Sequence, residues 1–169
     1  MKDNIYVTFR YNTSGGFQNM VFEDITKRIP ILDNPSEYEV GVTNLFMKTP
    51  PAGSQVPASG DFSSVVVMSD SIGVREQFSN NVENDLQPII AVLQYGPSGG
   101  SFPSYTVGYI QYPDIFNTGE VKYRDIENSS PLYRLNLSIK AAMKDGTFIY
   151  FEGNGTSHAS VTLHFRKKK

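Results

Sequence analysis

Alternation of hydrophobic and polar residues is the strongest pattern along this chain. Within residues 4–11 one face of an extended segment would carry Ile5, Val7, Phe9 and Tyr11. The same period of two returns over 37–46, 132–142 and 160–166. Because successive side chains of a strand point to opposite faces, these four segments are predicted to be strands with one buried face.

Other segments carry weaker strand signals. The continuous apolar run 65–68 predicts a strand buried on both faces. Asp145-Gly146 is a typical hairpin turn pair. Residues 74–78 are compatible with a single helical turn. Shorter or less regular strands are predicted at 17–25, 89–95, 105–110, 121–123 and 147–151.

The number and spacing of these segments predict the fold class. About eight to ten short strands, without the alternation of strands and helices that a parallel sheet needs, favour two packed antiparallel sheets. Eight major strands joined by long loops favour an all-β, single antiparallel eight-stranded jelly-roll sandwich over an immunoglobulin sandwich. We expect one domain over 1–165, followed by a short basic C-terminal tail over 166–169.

The composition limits the kinds of functional site that the chain can form. The chain has 169 residues and no cysteine, which excludes disulfides, thiolate metal sites and cysteine nucleophiles. His158 and His164 are its two histidines, too few for most histidine-based metal or acid–base sites. We therefore expect no enzyme activity, no catalytic residues, no metal and no cofactor. We also expect no transmembrane segment, since no apolar run approaches the ~20 residues that span a bilayer.

Charge is unevenly distributed. Four of the 15 basic residues stand at the C-terminus as Arg166, Lys167, Lys168 and Lys169, whereas the chain has 17 acidic residues and a formal net charge of −2. A short basic tail can contact a phosphate or an acidic partner, and it can equally be a solvated chain end. The near-neutral total argues against specific nucleic-acid recognition.

Aromatic residues are frequent between positions 95 and 123, where prolines indicate loops. Such side chains can anchor a subunit interface, stack on a sugar, or fill the core. The candidates for interface contacts are Phe102, Tyr105, Tyr112 and Phe116. The loops 49–60, 71–86 and 96–104 are candidate contact surfaces between subunits.

The C-terminal third carries a recognisable order of motifs. It runs through Val121–Ile126, Leu135–Ile139, Lys144-Asp145-Gly146, Phe151-Glu152-Gly153 and Val161–Arg166, and nearer the front stand Ile31-Leu32-Asp33, Tyr38–Val42 and Pro50. Over 30–50 and 121–166 the chain resembles the penton-type, single-jelly-roll minor capsid proteins of polinton-like elements and virophages.

The resemblance implies a structural protein of the virion, made in the host cytoplasm. It implies self-association into a ring, typically a homopentamer at an icosahedral vertex, with a neighbouring major capsid protein and other minor capsid proteins as further partners. A carbohydrate-binding, lectin-like β-sandwich module is the alternative that remains open.

Overall fold

The structure, a computed structural model, describes residues 4–13, 20–48, 62–74, 78–79, 86–94, 109–112, 120–150 and 157–169. The strands in these residues are β1 (Asn4–Thr13), β2 (Met20–Phe22), β3 (Tyr38–Lys48), β4 (Phe62–Met68), β5 (Phe78–Ser79), β6 (Leu86–Gln87), β7 (Ile89–Gln94), β8 (Tyr109–Tyr112), β9 (Arg124–Asp125), β10 (Leu135–Met143), β11 (Phe148–Tyr150) and β12 (Ser157–Lys167). One helical turn, α1 (Ile25–Arg28), and the 3-10 turns Pro30–Asp33 and Pro35–Glu37 lie between β2 and β3.

The strands pair in a nested order. β1 pairs with β12, β2 with β10, β3 with β8 and β9, β4 with β7, and β5 with β6, always antiparallel. A long hairpin rolled into two layers produces this order, with the outermost strands paired and the pairing continuing inwards. It is the topology of a jelly roll, so the predicted fold class is confirmed.

Two sheets form the layers. The first has the order β1-β12-β3-β8, and the second has the order β11-β10-β4-β7. β9 pairs with residues 39–40 of β3 and β8 with residues 45–48, so the two short strands share one edge of β3. In the same way β2 and β11 divide the outer edge of β10.

The core lies between the sheets and follows the predicted alternation. It includes Val161, Leu163 and Phe165 of β12 and Leu135, Leu137, Ile139 and Ala141 of β10. In β3 the buried side chains are Tyr38, Val40, Val42, Leu45 and Met47. The alternation of buried and exposed side chains shifts by one residue after Val42, because Thr162 pairs with Asn44 while Leu163 pairs with Val42. Thr43 is therefore an extra, bulged residue, which turns the following side chains to the opposite face.

β4 is buried on both faces, as its continuous apolar run predicted. Val65 and Val67 belong to the main core. Val66 and Met68 point away from it and form a second cluster with Ile89, against which Ala142 and Phe148 pack. This second layer explains why the strand lacks alternation.

Several predicted elements differ from the structure. The second strand, predicted over 17–25, ends at Phe22 because the chain turns into α1, and residues 17–19 lie outside the described residues. Residues 121–123 are not a strand, and Phe78 lies in β5 rather than in a helical turn. Tyr133 is 65% exposed, although the period of two over 132–142 puts it on the same face as the buried Leu135, Leu137 and Ile139. The Tyr133 carbonyl accepts a hydrogen bond from Ile25 N–H, so the chain here is bound to α1 and has not yet entered β10.

Candidate interaction surface on the first sheet

The face of the first sheet that points away from the core carries polar and aromatic side chains. Two strands of this sheet, β1 and β12, pair without interruption from Asn4–Arg166 to Thr13–Ser157. Three side-chain hydrogen bonds, four residues apart along β1, join the two strands. They link Asn4 Oδ1 to His164 Nε2 (3.1 Å), Thr8 Oγ1 to Thr162 Oγ1 (2.9 Å) and Asn12 Oδ1 to His158 Nδ1 (2.6 Å).

His164 is the centre of this surface. Its side chain is buried, and its ring stacks on that of Tyr6 with 4.0 Å between centroids and 8° between planes. The Tyr123 hydroxyl lies 2.6 Å from Nδ1. Asn4 Oδ1 accepts only, so Nε2 carries the hydrogen and Nδ1 accepts from Tyr123. Burial, reinforced by the Arg166 charge, lowers the pKa of His164 below its ordinary value.

The position of Tyr123 depends on Gly41. A Cβ atom at Gly41 would lie 2.7 Å from Val121 Cγ1 and 3.1 Å from Tyr123 Cδ1, so the absence of a side chain lets residues 121–123 lie directly on β3. The Arg166 guanidinium carbon lies 3.5 Å from the centre of the Tyr123 ring, a cation–π contact. Burial raises the pKa of the Tyr123 hydroxyl, which keeps it protonated as a hydrogen-bond donor.

The basic tail is attached to the sheet. Arg166 and Lys167 belong to β12, and the Lys168 backbone N–H donates to the Glu37 carbonyl at 2.9 Å. Ion pairs join Arg166 to Glu39 (2.5 Å), Lys167 to Glu37 (3.5 Å) and Lys168 to Asp125 (4.0 Å), while Lys169 is exposed. Most of the positive charge of the tail is therefore balanced by acidic residues of the same chain.

The aromatic interface candidates are only partly placed. Tyr112 lies in β8, where it pairs with Leu45 at the edge of the first sheet opposite to β1. Phe102, Tyr105 and Phe116 lie outside the described residues, as do the loops 49–60 and 96–104.

Part of the 71–86 loop is described, and a polar network holds it. Asn136 Oδ1 accepts hydrogen bonds from the Ser71 backbone N–H (3.0 Å) and hydroxyl (3.1 Å). Asn128 Oδ1 accepts from Gly73 N–H at 2.6 Å. The described start of this loop is therefore fixed to β10 and to the segment that follows β9.

The Tyr6, His164 and Tyr123 cluster did not emerge from the sequence. Alternation over 160–166 gives His164 a position on the polar face of its strand, but it does not show that this strand, β12, lies between β1 and β3. A central strand lets neighbours on both sides cover the imidazole. The signal in the sequence was Tyr6 and His164 on the polar faces of their strands, but the register that pairs them is a tertiary property.

Within the described part of the chain, no group of three or more histidine, aspartate or glutamate side chains could hold a metal ion. The helices in those residues are too short to cross a membrane.

The nested strand order defines a jelly-roll protein. No family model and no curated protein matches the sequence. Among solved structures, the fold is similar to a penton protein of mavirus, with 16% identity and a TM-score of 0.46 over 64% of this chain and 35% of the other. It is also similar to a chain of the Sputnik virophage, with 19% identity and a TM-score of 0.45 over 64% of this chain and 30% of the other. This chain thus spans about a third of the length of either.

Proposed function

We propose that this protein is a structural subunit of an icosahedral virus capsid. The observation that supports it most is where the two resembling segments, 30–50 and 121–166, come to lie. The first contains β3 and the second contains most of β12, and these strands pair with each other at the centre of the first sheet. Jelly rolls are widely used as capsid modules because a rigid sandwich leaves its loops available for contacts.

The proposed role is that of a penton or minor capsid subunit located in the virion after synthesis in the host cytoplasm. Its partners would be further copies of itself in a homopentamer, the neighbouring major capsid protein and other minor capsid proteins. A five-fold ring uses head-to-tail contacts that close after five copies. Phe102, Tyr105, Tyr112 and Phe116 are proposed as contact residues, and the position of Tyr112 in an edge strand is compatible with that role.

Native mass spectrometry of the purified full chain tests the ring. A mass of about five times the 18.8 kDa chain is expected, with ring-shaped particles in electron micrographs. Tyr112→Ala should weaken the assembly, whereas Tyr133→Ala, which changes an exposed tyrosine beside α1, should leave it intact. A monomer at high concentration that also fails to associate with capsid particles would contradict the proposal.

Carbohydrate binding is the second candidate, and the exposure of Tyr6 favours it. The ring is 64% exposed although one of its faces is stacked on His164, so it offers a rigid aromatic surface to a ligand. Asn4 and Thr8 project from the same face of β1 and would supply polar contacts. Saturable binding on a glycan array that is lost in Tyr6→Ala would support this function, and absence of binding would exclude it for the glycans tested.

A further inference from the structure

His164 connects three separate parts of the protein. From β12 it stacks on Tyr6 and bonds Asn4, both in β1, and on its other side it accepts from Tyr123 in the segment 120–125. β1 lies at the edge of its sheet, and the segment 120–125 covers Gly41 of β3. One imidazole therefore takes part in attaching both pieces to the strands beneath them.

The surroundings of this imidazole favour the neutral form. Among the described residues, the titratable and charged groups that face it are Tyr6 from β1, Tyr123 from the segment 120–125 and Arg166 from its own strand. On β3 its cross-strand neighbour is Gly41, and Glu39 is bound to Arg166. A proton on Nδ1 would thus place a second positive charge in a buried position near the guanidinium.

We propose that His164 is an acid-sensitive latch that holds β1 and the segment 120–125 on the first sheet and loosens when it is protonated. Protonation adds a hydrogen to Nδ1, so the Tyr123 hydroxyl can no longer donate there and must rotate to accept. The charged ring also has to remain where little water reaches it. Opening of β1 and of the segment 120–125 would expose the charged ring to water and would free Tyr123 to bond elsewhere.

The direction of the pH effect follows from the lowered pKa of His164. The pKa of His164 is lowered in the folded protein, so the closed latch binds a proton more weakly than the open one does. The stabilisation is complete above the ordinary histidine pKa of about 6.5 and decreases as the pH falls towards the lowered value. At acidic pH the opening equilibrium should rise by up to the factor by which the open form binds the proton more tightly than the closed form.

Amide hydrogen exchange of the full chain tests the latch between about pH 7.5 and about pH 5, where most carboxylates remain ionised. After correction for intrinsic exchange rates, opening of β1 and of residues 120–125 should increase towards the acidic end. In His164→Gln this increase should vanish, because the amide can still donate to Asn4 but cannot titrate. His158→Gln is the matched control, since His158 lies on the same strand, also binds an asparagine of β1, and is half-buried. It should retain the increase.

Two results would overturn the latch. One is an increase of the same size in His164→Gln, and the other is an acid effect that His158→Gln abolishes. If His164→Gln fails to fold, an NMR titration of the two imidazole C–H signals in the unaltered protein decides. A His164 midpoint at or above about 6.5 would refute the proposal. These outcomes do not depend on the capsid proposal, because they concern the single chain.

Discussion

Individual side chains on the outer face of the first sheet fix how residues 121–123 lie on β3. Gly41 leaves the space, Val121 and Tyr123 occupy it, and Arg166 lies over the tyrosine ring while binding Glu39. The contacts share one side chain, because Tyr123 packs on Gly41, lies under Arg166 and bonds His164. Small changes in side-chain volume or charge at one of these positions should therefore alter the packing of the whole cluster.

Gly41→Ala should lower the free energy of unfolding by about 1–3 kcal/mol, the usual cost of forcing a methyl group into a packed site. The added Cβ would meet Val121 and Tyr123 at distances shorter than normal contacts. Urea denaturation followed by circular dichroism measures the loss. Gly73→Ala is the control, since its nearest neighbour is the Asn128 Oδ1 atom at 3.3 Å, and a smaller loss is expected there. An unaltered stability of Gly41→Ala would show that the segment moves aside without cost.

Arg166→Ala should cost about 1–2 kcal/mol of stability, because it removes both a partly buried ion pair and a cation–π contact. Lys169→Ala, in the same tail but exposed, should change the stability by less than about 0.5 kcal/mol. Thermal unfolding at low and high salt measures both variants. Equal effects of the two substitutions would mean that the tail acts only through its total charge.

At the scale of the elements, local turn chemistry and strand pairing combine in the β10–β11 hairpin. Asp145 Oδ1 accepts from the Thr147 backbone N–H (2.9 Å) and hydroxyl (2.7 Å), which lowers the pKa of Asp145. Gly146 has φ 89°, a conformation that a residue with a Cβ rarely adopts. The turn that the Asp-Gly pair predicted is confirmed, because its geometry is set by neighbouring residues alone.

Gly146→Ala should therefore destabilise the protein by about 1 kcal/mol, the typical cost of a positive φ for a residue with a side chain. The effect should be concentrated in β11 and in the end of β10, where hydrogen exchange can locate it. Lys144→Ala changes the same turn without a backbone requirement and should be nearly neutral. Faster exchange spread evenly over both sheets would contradict a local effect.

Elements whose pattern repeats were predicted well, and those shaped by distant contacts were not. The alternation in β1, β10 and β12 identified the buried faces because one side of each strand packs on the same core throughout. It failed at Tyr133, where the chain is bonded to α1, and it did not anticipate the bulge at Thr43. Both depend on which segment lies alongside, and that information is not local.

At the scale of the whole molecule, the nested order makes the fold strongly non-local. The first and last described strands are neighbours, and the Thr8–Thr162 hydrogen bond joins residues 154 positions apart. Such pairs can form only after a very large loop has closed. The entropy of closing the loop is therefore lost before the contacts between these strands stabilise the chain.

We therefore expect the main refolding phase to take milliseconds to seconds, as in other all-β domains dominated by distant pairs. Stopped-flow dilution from urea, followed by tyrosine fluorescence, measures the rate. The chain has 10 prolines, so a prolyl isomerase should be added as a control that leaves the main phase unchanged. A main phase in the microsecond range would show that local hairpins, rather than the nested pairs, limit folding.

The sequence by itself determined the all-β fold class, the buried faces of the regular strands and the Asp145-Gly146 turn. These features depend on alternation and on local backbone preference. Only the tertiary structure decided that β12 lies between β1 and β3, that the basic tail is neutralised by Glu37, Glu39 and Asp125, and that His164 is enclosed by tyrosines. The physical reason is that register and strand order arise from pairing between distant segments. A polar face read from the sequence does not reveal which neighbour will cover it.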